Sequence, residues 1–344
     1  MPTPAVGERL LEVEGLRMHF HTPTGLVKAV DGVDFILDSG KTLAIVGESG
    51  SGKTVTVTTM MGLVPIPPGR VEGGTAFYKG RDLLRLPREE MRRIRGREIA
   101  MIFQDPLTAL NPVHRVGTQI VEMIRAHDDV PKQAARARAI DLLALVDIPQ
   151  PDQRVDNYPH EFSGGMRQRA MIAMALALNP SILIADEPTT ALDVTVQAQI
   201  LELLLNLQAE FGMGLIIITH DLGVVAQIAD EILVMYAGRM VERGDPEQIF
   251  YRPLHPYTWG LLGSIPRLSE EEERLVQIPG MPPSLQRVPP GCPFHPRCEF
   301  RFERCPQERP ELELRGEHPD ACFLSPAEKE TGRAKVLGES GVRA

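Results

Sequence analysis

The octapeptide Gly47-Glu-Ser-Gly-Ser-Gly-Lys53-Thr54 constrains this chain more than any other feature, because it fits G-x-x-x-x-G-K-[ST] at every fixed position. An apolar run, Leu43–Val46, precedes it and a helix-compatible run follows. Glycines let such a loop wrap so that successive backbone N–H groups point inward at phosphate oxygens. The helix that begins there adds its positive end. In this arrangement Gly47, Ser49, Gly50, Ser51 and Gly52 form the cradle. Lys53 lies against the β- and γ-phosphates, and the Thr54 hydroxyl ligates Mg²⁺.

The surrounding sequence supplies a matching scaffold. Apolar, β-branched runs recur between helical patterns at Thr42–Val46, Ile99–Phe103, Ile182–Ala185, Leu215–Thr219 and Ile232–Met235. Runs of this kind belong to a parallel sheet covered on both faces. Between residues 107 and 165 the strand signal vanishes. Helical patterns replace it near Val116–Ala126 and Ala134–Val146, the second ending before Pro149 and Pro151. We read this stretch as a helical insertion between two halves of an α/β core.

Three polar residues stand at strand ends, where ligands of open α/β sheets bind. Ile182–Ala185 runs into Asp186-Glu187, which assigns Asp186 to Mg²⁺ and Glu187 to polarising the attacking water. His220 follows Leu215–Thr219 and is placed to reach a γ-phosphate and orient Glu187. Gln104 closes Ile99–Phe103 just before the insertion, where it can sense the metal or the water.

Charge excludes one broad class. The chain of 344 residues carries 37 Lys+Arg against 46 Asp+Glu, a net charge of −9, which disfavours a protein whose main work is coating nucleic acid. The six arginines within Arg85–Arg97 and the four acids of Glu270–Glu273 read as solvated helix faces, the acidic run as a helix start. No stretch approaches the roughly 20 apolar residues that cross a bilayer, and the first residues lack a secretory core. The expected place is the cytosol, with docking on a membrane protein allowed.

Beyond Gly244 the composition changes: half of the 30 prolines fall between Pro246 and Pro326. Such a segment cannot be mostly regular helix or sheet and needs another means of cohesion. All 4 cysteines lie here, spaced Cys292-x5-Cys298-x6-Cys305-x16-Cys322. Clustered thiols in a cytosolic chain suggest a metal site over a disulfide framework. The spacing departs from paired zinc-ribbon and bacterial ferredoxin patterns, so zinc and an iron–sulfur cluster stand level, with free thiols behind. His295 and His318 are neighbours able to replace a ligand. From Glu328 the chain is small and polar and reads as a frayed tail.

At Phe162-Ser-Gly-Gly-Met-Arg-Gln-Arg169 the chain resembles the signature motif of ABC-type ATPases, with Phe for the common Leu and Met for the usual Gln. The order of phosphate loop, Gln104, signature, Asp186-Glu187, Ala191-Leu-Asp193 and His220 is that family's order over about 245 residues. A closer likeness is to the ATP-binding subunits of oligopeptide/dipeptide importers, in particular the first of their two related ATPases. It is carried by Asn157–Arg169, Gln104–Pro112, His255-Pro-Tyr-Thr258 and Pro289–Cys298.

The resemblance implies an α/β fold: a RecA-like P-loop core (1–106 and 166–245) with an N-terminal antiparallel β-subdomain, a helical signature subdomain (107–165), an irregular Cys-rich C-terminal extension (246–327) and a flexible tail (328–344). It also implies ATP hydrolysis driving peptide import, with Phe20 stacking on adenine and with Lys53, Gln104, Glu187 and His220 catalytic. Thr54, Gln104 and Asp186 hold Mg²⁺. Ser163, Gly164, Gly165 and Asp193 act in trans on the nucleotide of a second, related ATPase subunit. Two permease subunits and an extracytoplasmic binding protein complete the assembly, which keeps the chain at the cytoplasmic face of the membrane. The family's tail carries a cysteine-ligated [4Fe–4S] cluster, which favours that cluster over zinc.

Other readings are nickel or another small solute as cargo, and a soluble ABC ATPase acting on nucleic acid. The second is disfavoured: only about 110 residues separate Thr54 from Ser163, too few for a long heptad arm, and the chain holds one cassette. A P-loop kinase or GTPase leaves Phe162–Arg169 and His220 unexplained.

Overall fold

The computed structural model describes residues 7–190, 192–264, 278–314 and 316–338. Two compact units emerge, the first carrying the described residues up to Leu10, Leu37–Lys41 and Arg85–Ile218, the second Leu11–Ile36, Thr42–Leu84 and the described residues from Thr219 onward. The acidic run Glu270–Glu273 lies outside the described residues.

In the first unit, Ile99–Ile102, Ile182–Asp186 and Gly214–Thr219 pair in parallel, with Ile99 opposite Ile182 and Ile182 opposite Gly214. Every residue of the last two strands is buried, as continuous apolar runs require. Residues 107–165 contain helices and no strand among the described residues. In the helix Val116–His127, Val116, Ile120 and Ile124 fall on one buried stripe at four-residue spacing. Gly117 lets it approach its neighbour: a Cβ there would sit 2.2 Å from the Val155 side chain. Lys132–Leu145 buries Ala135, Ala139, Leu142 and Leu143. The first half of this unit therefore follows the period of its own sequence closely.

In the second unit, Thr42–Val46 runs parallel to Glu231–Tyr236, which continues antiparallel into Arg239–Gly244. A separate four-stranded sheet has the order Gly25–Asp38, Arg9–Thr22, Gly69–Tyr78, Arg81–Asp82. Its long strand pair is antiparallel, with Phe20 opposite Gly69.

The C-terminal residues attach to this unit by strands and by buried charge. Pro319–Asp320 pairs antiparallel with Arg239–Gly244, and Glu313–Leu314 adds beyond it. The Glu242 carboxylate, fully buried, accepts the N–H groups of Leu254 (2.5 Å) and His255 (3.1 Å) and meets His318 Nε2 at 2.7 Å. Trp259 is fully buried, donates Nε1–H to the Pro253 carbonyl (2.8 Å) and meets Phe300 edge-on at 5.2 Å. Hence cohesion does not rest on the thiols alone: aromatic packing and satisfied buried charges supply a core that composition did not reveal.

One expectation needs correction. Residues 328–337 are not a frayed tail but the body of a helix, Pro326–Leu337. Ser325 and Glu328 form a reciprocal capping box, satisfying two orphan donors at its start. Lys329 reaches Asp320 at 2.6 Å, both buried, and Gly332 fits against Trp259, where a Cβ would come within 2.7 Å of the ring. A small, polar sequence is ordered here because its few contacts are buried ones. Breaking such a pair from one side costs about 3–5 kcal/mol.

His255 gives this region a pH dependence. Its Nδ1 accepts the Tyr257 N–H (3.1 Å) as a helix cap, which requires a neutral ring. Burial, reinforced by the Lys329 charge, pushes its pKa down to about 3. An unfolded imidazole protonates near 6.5, so between these values the unfolded chain binds more protons and stability falls as pH drops. We expect the melting temperature to decline as the pH falls from about 6.5 toward 3, and His255→Asn, which keeps a capping acceptor, to flatten part of that decline in calorimetric scans. An unchanged slope in that variant would remove His255 from the account.

Candidate functional site

The phosphate loop has the backbone that its glycines predict. Gly47, Gly50 and Gly52 adopt φ of +149°, +78° and +103°. Side chains are excluded at two of them: a Cβ on Gly47 would lie 2.3 Å from the Met235 carbonyl, and one on Gly52 2.3 Å from that of Ala29. The helix that follows, Lys53–Met60, is built almost wholly of Thr and Val, which are poor helix formers. It forms because Thr56 and Val57 are fully buried, while the hydroxyls of Thr56, Thr58 and Thr59 find acceptors in the carbonyls of Gly52, Thr54 and Val55 at 2.6–3.0 Å. Tertiary packing overrides propensity at this point.

Lys53 is buried, its ammonium donating to the carbonyls of Gly47 (2.7 Å) and Glu48 (3.1 Å). The cation is thus folded over the loop whose N–H groups it accompanies. Ser49, Gly50 and Thr54 are exposed along the rim, while Ser51 and Gly52 are buried. Phe20 is half-buried on the antiparallel sheet, beside His19.

In the first unit, the structure brings Gln104 and Glu187 together: Gln104 Nε2 donates to Glu187 Oε2 at 2.8 Å, and the Thr190 hydroxyl donates to the same oxygen at 3.0 Å. Glu187 has φ +47°, a left-handed backbone that a non-glycine residue holds only under constraint. Its N–H bonds the Ile218 carbonyl at 2.8 Å, so the strained residue is anchored to the neighbouring strand. Asp186 is buried beside it at the end of its strand. Thr190 was missed from the sequence, although its place three residues after Glu187 carries the signal. His220 is exposed, immediately ahead of a helix that Asp221 caps through Gly223 and Val224 N–H.

The signature residues start a helix, Gly164–Ala175, with Ser163 as its cap. Ser163 Oγ accepts the Met166 N–H at 3.3 Å, and Ser163 and Gly164 are exposed, so the helix presents its positive end outward. At Gly165 a Cβ would press within 2.8 Å of Val196, so the glycine permits close packing on the helix Val194–Phe211. Asp193 caps that second helix through Val196 N–H at 2.9 Å.

The four thiols gather around one small apolar cavity, together with Phe294, Phe300, Phe323 and His295. Consecutive turns place them: Gly291 at φ +69° allows Cys292 N–H to reach the Cys305 carbonyl at 2.8 Å, and Cys298 N–H bonds His295 O at 3.3 Å. Arg304 lies over the Phe323 ring at 3.9 Å, drawing in the loop of Cys322. Burial pushes three of the thiols up, Cys292 to about 11 and Cys298 and Cys322 to about 12. All four are free of disulfides. Among the described residues, no three His, Cys, Asp or Glu side chains stand close enough to hold an ion. His318 is committed to Glu242.

Comparison with known proteins agrees with this geometry. The ABC transporter family model matches residues 30–190, and that of the oligopeptide/dipeptide transporter C-terminal region matches residues 241–305. The chain is 52% identical to the oligopeptide transport ATP-binding protein OppD of Bacillus subtilis, over 96% of both chains. It is 53% identical to the dipeptide transport ATP-binding protein DppD of the same organism, over 92% of this chain and 95% of that one. OppD of Escherichia coli is 52% identical over 92% and 93%. Among solved structures, the dimeric post-hydrolysis state of the ATP-binding cassette MJ0796 bound to ADP and Pi aligns with a TM-score of 0.61 at 25% identity, covering 69% of this chain and 98% of that one. The fold is therefore that of an ABC ATPase, with an antiparallel β-subdomain and an α/β core, and the chain belongs to the ABC transporter ATP-binding proteins of the oligopeptide/dipeptide group.

Proposed function

We propose that this chain hydrolyses ATP to drive the import of oligopeptides or dipeptides through a membrane-embedded permease pair. The observation that carries the reading is identity above 50% to oligopeptide and dipeptide transport ATP-binding proteins over nearly the whole length, C-terminal region included. The loop Gly47–Thr54 binds the triphosphate, Lys53 drawing charge from its β- and γ-oxygens. Glu187 orients and deprotonates the attacking water, with Gln104 and Thr190 fixing its carboxylate and His220 supporting it. Phe20 stacks on adenine. Thr54, Gln104 and Asp186 offer oxygen donors alone, a set suited to Mg²⁺, which when bound neutralises phosphate charge.

Ser163, Gly164, Gly165 and Asp193 serve the nucleotide of a second, related ATPase subunit. The outward helix start at Ser163 supports this, since it offers N–H groups to an anion. No helix among the described residues is long and apolar enough to cross a membrane. Attachment at the cytoplasmic face thus falls to permease subunits, with an extracytoplasmic binding protein delivering the solute. Reconstituting the complex with both permeases and the binding protein tests the reading. Peptide uptake should stop without ATP, and uptake of nickel in place of peptide would reassign the cargo.

For the thiol cavity we propose a [4Fe–4S] cluster held by Cys292, Cys298, Cys305 and Cys322. Four thiols outside any disulfide line one apolar cavity, a donor set that would suit a group several ångströms across with one thiolate at each iron. When bound it supplies four covalent cross-links within the Pro-rich extension. Binding must displace protons from thiols that burial keeps protonated, so cluster loading should be favoured by higher pH. Anaerobically purified protein should be brown with matched iron and sulfide, and Cys298→Ser should remove most of both. A colourless chain carrying one zinc would reverse the assignment.

A further inference from the structure

One side chain of the C-terminal extension grips the phosphate loop. Glu48 occupies the first variable position of that loop, and each of its polar groups is held. Its carboxylate receives a two-bond fork from Arg297, Nη1 to Oε2 at 2.6 Å and Nη2 to Oε1 at 2.9 Å. Its N–H donates to the Tyr257 hydroxyl at 2.8 Å, and its carbonyl accepts from Lys53 at 3.1 Å. Two of these three partners belong to the extension.

Arg297 is itself immobilised. Its side chain is 6% exposed, Nε donates to the Pro279 carbonyl (2.9 Å), and Nη2 also reaches that of Gly280 (3.3 Å). Nη1 lies 3.4 Å from the Tyr236 hydroxyl. Tyr236, Tyr257 and Phe294 pack around this point with centroids 4.6–5.4 Å apart. The next residue is Cys298, on the wall of the thiol cavity.

A carboxylate on a loop that takes a highly charged anion opposes binding unless it is neutralised and turned aside. The fork does both: it supplies the opposite charge and fixes the direction of the Glu48 side chain. We propose that Arg297 is a positioning residue for ATP binding, which holds the Glu48 carboxylate away from the phosphates and makes nucleotide affinity depend on a correctly folded C-terminal extension. The arrangement couples the two ends of the chain: whatever loosens the segment around Cys298 frees a negative charge at the mouth of the cradle.

The inference rests on the loop binding ATP, which Lys53→Ala tests separately. With the full-length chain in its assembled transporter, Arg297→Ala should raise KM for MgATP about tenfold, as expected for a charge stranded in a partly buried pair. Turnover should change less than about twofold, the pattern of lost ground-state binding. Arg297→Lys keeps the charge but not the fork, and should raise KM by about threefold. Adding Glu48→Gln to Arg297→Ala should recover most of the lost affinity, because the stranded charge is gone.

An unchanged KM in Arg297→Ala overturns the proposal. So does a fall in kcat alone, or failure of Glu48→Gln to rescue while iron content and melting temperature drop together, since those mark a merely structural role. If the alanine chain does not fold, Arg297→Lys decides, an unchanged KM again counting against the idea. Loss of ATP binding in Lys53→Ala with parental KM in Arg297→Ala leaves the cradle in place and removes only the clamp.

Discussion

A Glu187→Gln chain should bind ATP as the parent does and hydrolyse it about 10²–10⁴-fold more slowly, the usual contribution of a positioned general base. The substitution is well matched to the site. Gln104 and Thr190 both donate to Glu187 Oε2, and a glutamine amide retains an oxygen that can accept both. The left-handed backbone at φ +47° is anchored through the Glu187 N–H, which the variant keeps. Geometry therefore survives while basicity is lost. Single-turnover phosphate release, measured beside equilibrium ATP binding, separates the two, and the stalled chain should retain bound ATP. Release near the parental rate would transfer the role to another group.

Lys53→Ala has the other large expected effect: ATPase kcat/KM should fall about 10²–10³-fold, with weakened ATP binding as part of the loss. The ammonium is buried and held by the carbonyls of Gly47 and Glu48, which fixes a positive charge against the loop. Alanine removes that preset charge. Because it also removes a buried stem, Lys53→Met is the companion variant: it keeps most of the packing and should show the same loss with less change in melting temperature. Near-parental turnover in both would discredit the cradle.

The two sites differ in how much of them local sequence announces. The phosphate loop, the strand ends at Gln104, Asp186 and His220, and the helix caps at Ser163 and Asp193 each depend on residues within a few positions of one another. Glycines at φ +149°, +78° and +103° follow directly from the G-x-x-x-x-G-K-T pattern. Thr190 is equally local, three positions after Glu187. The grouping of four cysteines was visible as spacing, whereas their convergence on one apolar cavity depends on turns at Gly291 and His295.

Sequence alone determined the α/β core, the helical insertion and the nucleotide chemistry, because periodicity and a contiguous loop encode them within short windows. Tertiary structure alone decided the rest. A helix of Thr and Val at Lys53–Met60 exists because its buried face outweighs propensity. The polar Pro326–Leu337 helix is ordered through Lys329–Asp320 and Gly332 against Trp259. Arg297 meets Glu48 across 249 positions. A pair as distant as the last forms only when the fold brings its partners together, and no short window of sequence contains both.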